Sequence, residues 1–158
     1  MRTSLEAARE QIHIDTVNVL QSIIEKNYDA EKGYKKAMKD AKTPELKNFL
    51  KRQAVQRSHF ATAIDKELHL LDETPRDKGS IAGTLHRAWI DIRTSVTGKD
   101  DEAVLSEVLR GETASVKEYE ELMKHNTLVP HASNVLKSQL KELQGTLERV
   151  KSLKDIQG

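Results

Sequence analysis

Apolar residues recur at three- and four-residue steps through most of the chain, the spacing of one face of an α-helix. No segment alternates with the two-residue period of a strand. Four breaks divide the pattern. In KTPELKN, residues 42–48, Thr43 stands as a helix cap with Pro44 at the first helical position. DETPRDKGS at 72–80 reads as a loop whose Ser80 caps the next helix. TGKDDE at 97–102 ends one helix at Gly98 and starts another at Asp100, and NTLVPHAS at 126–133 places Pro130 to open the last.

These breaks predict five helices: from 4 or 14 to 41, then 44–72, 81–97, 101–125 and 131–155. Four are long, at least ~36 Å each, and the third is ~25 Å at 1.5 Å per residue. Residues 1–13 fit either a loose N-terminal arm or an extension of the first helix. The long helices carry apolar seams, as bundle helices do. The first reads Val17, Leu20, Ile24, Asn27, Glu31, Tyr34, Met38, and the second Leu46, Leu50, Gln53, Arg57, Phe60, Ile64, Leu68, Leu71. The fourth reads Leu105, Val108, Glu112, Ser115, Tyr119, Leu122, and the fifth Leu136, Leu140, Leu143, Leu147, Val150, Leu153. The expected fold is all-α, one domain over 1–158: a four-helix bundle of two antiparallel pairs, joined by the third helix as a crossover.

Composition narrows the function. Charged residues make up 32% and aromatics 4%, with a net charge of +1, so no excess of positive charge points to nucleic acid or an acidic membrane. The absence of cysteine excludes disulfides, thiolate metal sites and cysteine nucleophiles. MRTSLEAAREQ lacks the apolar stretch of a signal peptide, and no run approaches the ~20 apolar residues of a membrane span. A soluble cytoplasmic protein is expected.

Glu31 and Glu112 sit mid-seam where hydrophobic residues are expected, beside Gly33 and Gly111, each sharing its seam with Tyr34 or Tyr119. A carboxylate in a core must be paired, hydrogen-bonded or bound to metal. Two readings are open. Di-iron bundles take one Glu from each of two helices and a Glu-x-x-His motif from each of the other two. Glu31 and Glu112 suit the single-Glu roles and make iron or manganese the candidate metals, but the second and fifth helices hold no Glu-x-x-His. In the other reading Arg57, a permanently charged fork, neutralises Glu31, Glu112 or both, and the tyrosine hydroxyls complete a structural network.

GSIAGTLHRAWIDIR, residues 79–93, concentrates unusual residues, including the only tryptophan. Trp89 continues an apolar stripe with Ile81, Leu85, Ile92 and Val96, and Asp91 lies four residues from Arg87, the spacing of an intrahelical ion pair. His86, Arg87 and Trp89 are therefore read as anchors of the crossover helix. His125 and His131 flank a loop and are read as solvated.

DAEKGYKKA (29–37), GSIAGTLHRAW (79–89) and LRGETASVKEYEEL (109–122) together resemble a bacterial family of four-helix-bundle proteins with no assigned activity, grouped with the ferritin-like superfamily. The resemblance runs from about residue 14 to 155. It implies a ferritin-like bundle and supplies no activity. Ferritin-like relatives include iron-storage, peroxidase and oxidase proteins, whose ligands carry over only at Glu31 and Glu112. Three functions stand: a non-enzymatic bundle acting by binding or assembly in a stress-related setting like that of its superfamily, with a homo-oligomer as one form of it, a metal-carboxylate protein centred on those glutamates, and a module that binds a protein partner.

Overall fold

A computed structural model of the protein describes residues 3–76 and 100–156. It contains α1 (Ser4–Asp40), α2 (Pro44–Leu70), α3 (Asp101–Lys124), α4 (Pro130–Arg149) and a 3₁₀ turn at Leu153–Asp155. The expected crossover, 81–97, lies outside the described residues.

Local chemistry sets each boundary. Thr3 opens α1 with a capping box: its hydroxyl accepts from the Glu6 N–H at 3.1 Å, and the Glu6 carboxylate accepts from the Thr3 N–H at 3.3 Å. The opening residues are thus helical, although largely exposed. Thr43 and Asp100 cap α2 and α3 by accepting from Leu46 and Ala103. Past the end of α2, the N–H of Asp72 donates to the carbonyl of His69 and that of Glu73 to Leu68, a Schellman closure. Asp72 takes the left-handed position usually given to glycine, with φ 60.

The last helix is shorter than the predicted 131–155. It stops at Arg149 and Val150 turns extended. The Asp155 carboxylate accepts the N–H groups of Lys151 and Ser152 at 2.8 and 3.0 Å, closing a local turn in place of another helical turn.

The ends of the helices fix the topology. Asp101, at the start of α3, accepts the N–H groups of Lys42 and Thr43 in the α1–α2 turn at 2.8 and 3.0 Å. At the opposite end, the Thr16 hydroxyl of α1 donates to the Ile12 carbonyl and accepts from the Val129 N–H just before α4. So α2 and α3 run one way, and α1 and α4 the other. Side by side, α1 meets α2 and α3, while α4 meets α3 and α2; α2 and α3 face each other across the diagonal. The chain leaving α2 is tied to α1, where Gln21 donates to the Thr74 carbonyl at 2.7 Å and accepts from the Arg76 N–H at 2.9 Å. Arg76 and Asp100 therefore lie at opposite ends of the bundle.

The apolar core has two halves. One joins Tyr34 and Ala37 with Leu46, Leu50, Val104, Val108 and Val150; the other joins Leu20, Ile23 and Ile24 with Phe60, Ile64, Tyr119, Leu136 and Leu143. Between their levels stand the buried polar residues Asn27, Arg57, Glu112, Ser115 and Thr146. The seam of α4 differs from the leucine line predicted for it. Gln139 and Thr146 are buried, whereas Leu140 and Leu147 are only half-buried one step round the helix. The leucines widen the apolar stripe, and the polar pair faces the centre.

The Asp101 contact gives a pH-dependent prediction. Burial opposes its charge, but the N–H groups of Lys42 and Thr43 outweigh this and hold its pKa below the usual carboxylate value. A depressed folded-state pKa adds stability that is complete above the unfolded value of about 3.9 and is lost as pH falls through the folded one. Asp101→Asn should cost about 1 kcal/mol at neutral pH. In urea titrations the gap from the parent should close as the pH is lowered to the foot of that window.

Candidate functional site

Every long helix contributes to the polar layer. From α2, Arg57 is 1% exposed and reaches across the diagonal to Glu112 of α3, which is fully buried; Nη2 donates to Oε1 at 2.6 Å. Its other terminal nitrogen donates to Asn27 Oδ1 on α1 at 2.8 Å. Because arginine can only donate, this contact fixes the asparagine amide. Asn27 Nδ2 must then donate, to the Ile23 carbonyl at 3.0 Å and to the Tyr119 hydroxyl of α3 at 2.9 Å. The Tyr119 hydroxyl donates to Gln139 Oε1 of α4 at 2.7 Å, and Gln139 Nε2 donates to the Phe60 carbonyl of α2 at 3.2 Å. The chain of donors starts and ends on α2 after visiting the other three helices, and the Arg57–Glu112 bridge crosses its middle.

The second tyrosine completes the layer. Tyr34 is buried, and its hydroxyl feels the charges of both Glu112 and Arg57. Burial, followed by the charge of Glu112, raises its pKa well above the ordinary tyrosine value, with Arg57 pulling the other way. Burial likewise pushes Tyr119 up to about 12 against the opposing effects of Arg57 and the Asn27 hydrogen bond. Both hydroxyls thus stay protonated at physiological pH, and that of Tyr119 is the one seen to donate. Burial works against the charge of Arg57, but Glu112 and the tyrosines reverse this and its pKa rises.

Of the residues singled out from sequence, Arg57, Glu112, Tyr34 and Tyr119 meet here. Glu31 does not. Its side chain is 20% exposed and pairs with Lys35 one turn along α1 at 2.9 Å. Asn27, one turn earlier on the same seam, takes the inward position, so the expected second core carboxylate is a neutral amide. Gln139 was hidden by the leucine line of its helix; its signal is a polar residue adjoining an apolar seam. His86, Arg87 and Trp89 lie outside the described residues.

A second feature lies on the surface. Between α2 and α4, the most sparsely packed pair of neighbours, is an open groove of about 800 Å³. Val55, Phe60, Ala63 and Val135 give it apolar walls, with Arg52, His59 and Glu142 at its polar margins. Val55 is 46% exposed. His131 Nδ1 lies 2.6 Å from the buried Glu67 carboxylate, joining the start of α4 to α2.

The model of the family described as "Domain of unknown function (DUF2383)" matches residues 15–125. The chain belongs to this family. Within this DUF2383 bundle, Asn27, Arg57, Glu112 and Tyr119 fall inside the matched span, and Gln139 beyond it. No curated protein matches the chain. Among solved structures it is similar to a two-domain protein from Anabaena variabilis ATCC 29413 containing DJ-1/ThiJ/PfpI-like and ferritin-like domains (TM-score 0.68, 18% identity). That match covers 87% of this chain but 38% of the other, so the chain spans well under half of that protein. It is also similar to a dodecameric thioferritin, the bacterioferritin-related protein from Bacteroides fragilis, with a TM-score of 0.70, 14% identity, and 94% and 86% of the two chains covered. At these identities the likeness establishes the fold, a ferritin-like four-helix bundle.

The donor set can be tested against the metals of carboxylate-bridged bundles. Those sites draw on four carboxylates and two imidazoles. The centre here supplies one carboxylate, already paired with a fixed cation, and the described residues contain no cluster of three or more His, Asp or Glu able to hold a metal ion. These residues do not fit a di-metal centre.

Removing one member of a buried ion pair strands the other, whereas neutralising both removes the demand for a partner. Arg57→Met and Glu112→Gln should each cost about 3–5 kcal/mol. The double variant should recover most of that loss, so denaturant titrations of the four proteins should show strongly non-additive effects.

Proposed function

We propose that this bundle acts by assembly rather than catalysis, with the groove between α2 and α4 as its contact face and a second copy of the chain as its first partner. The observation that carries the reading is the exposed apolar lining of that groove, Val55 above all, on the side where the bundle packs least. Its margins carry both signs of charge, Arg52 on α2 and Glu142 on α4. A two-fold contact presents the same patch from each copy, so the arginine of one chain can meet the glutamate of the other. The Bacteroides fragilis relative is described as a dodecamer, which favours self-assembly as the use of this scaffold. One domain over 1–158, the crossover anchored by His86, Arg87 and Trp89, and a cytoplasmic, stress-related setting are parts of the same proposal.

Light scattering after size exclusion tests it. The untagged protein should elute with a mass that is a multiple of 17.9 kDa, and Val55→Glu and Val135→Glu should each return it to that mass with unchanged helix content. A parent protein that stays monomeric at high concentration would remove the case for self-assembly and leave a different protein partner.

The second reading is a metal-carboxylate protein binding iron or manganese. It rests on the bacterioferritin-related neighbour, against the Arg57 pairing that already occupies Glu112. Elemental analysis of untagged protein decides it. This reading expects stoichiometric metal that disappears in Glu112→Ala, and Glu31→Ala should leave the content unchanged because Glu31 points away from the core.

A further inference from the structure

We infer that Arg57 is the resident cation of this bundle: its guanidinium stands in the mid-core place that carboxylate-bridged bundles give to metal, in a site shaped for a guanidinium-class cation.

The groups around Arg57 require a cation at this point. Glu112 is fully buried and must meet positive charge; Asn27 presents its carbonyl oxygen, not its amide nitrogen, to the same point. Both oxygens converge on one planar fork, at 2.6 and 2.8 Å. A metal ion would also have drawn two oxygens inward, but a guanidinium does so with bonds of fixed direction. That direction orders the Asn27, Tyr119 and Gln139 hydrogen bonds in series. An ammonium carries the same charge without the fork, and a spherical divalent ion cannot donate a proton to either acceptor. Arg57 also places a fixed positive charge against Glu112, the only carboxylate of the layer among the described residues, which opposes entry of a second cation. The inference is independent of how the protein assembles, since every group involved is interior.

Chemical rescue tests it. Arg57→Ala should unfold at a lower temperature than the parent. Low millimolar guanidinium chloride, matched against sodium chloride, should raise the midpoint of that variant while leaving the parent level or slightly lower. Manganese chloride should give the variant less recovery than guanidinium. Equal effects of guanidinium and sodium on the variant overturn the proposal, as does uptake of about one iron or manganese per chain by the parent that Glu112→Gln abolishes. If Arg57→Ala does not fold, Arg57→Lys carries the test. It should fold, melt below the parent and take up no manganese on dialysis; a lysine variant as stable as the parent would show that charge alone suffices and would end the claim of shape.

Discussion

The architecture depends on one buried positive charge meeting one buried negative charge across the diagonal of a helix bundle. Neighbouring helices can be held by apolar packing alone, but α2 and α3 are not neighbours. The Arg57–Glu112 bridge is the described bond that sets their separation and their relative height. A slip of either helix by one turn, about 5.4 Å, would leave two charges buried without partners, far more costly than a slip between two leucine faces. The polar layer therefore specifies register, which the surrounding alanines, valines and leucines do only loosely.

The rest of the layer amplifies this specification. Since arginine offers only donors, the orientation of every amide and hydroxyl beyond it is set by elimination, through Asn27 and Tyr119 to Gln139. At the ends, Asp101 and Thr16 make the same kind of connection from single side chains to exposed backbone N–H groups, tying α3 to the α1–α2 turn and α4 to α1. Fold and polar chemistry are one construction here: the elements are apolar by pattern, and their arrangement is polar by contact.

Much of this was readable from sequence, for identifiable reasons. Thr43–Pro44, Asp100 and Pro130 mark helix starts through local backbone chemistry, so those boundaries fell within a residue of their places. Arg57 and Glu112 betrayed themselves as charges on otherwise apolar seams, where burial leaves them no alternative to pairing. Glu31 misled because helical spacing gives a stripe and not its edge. One turn separates Asn27 inside from Glu31 at the rim, where the half-buried glutamate pairs with the exposed Lys35 instead of the core. Gln139 was obscured for the opposite reason, since the leucines on its flank outweigh it in any hydrophobic count. The end of α4 was overrun because the side-chain turn made by Asp155 leaves the apolar spacing intact while diverting the backbone.

The parallel course of α2 and α3 bears on the order in which the molecule forms. The α1–α2 hairpin has the most extensive interface and the shortest loop, so its contacts are local and can be made early. Yet that hairpin contains Arg57 and not Glu112. Closed by itself, it would desolvate a guanidinium with only an asparagine oxygen to receive it. Burying that charge in the hairpin alone is therefore costly, and the carboxylate that offsets the cost comes from a segment more than fifty residues downstream. Collapse of the hairpin without its partner helix thus carries an electrostatic penalty written into the second helix.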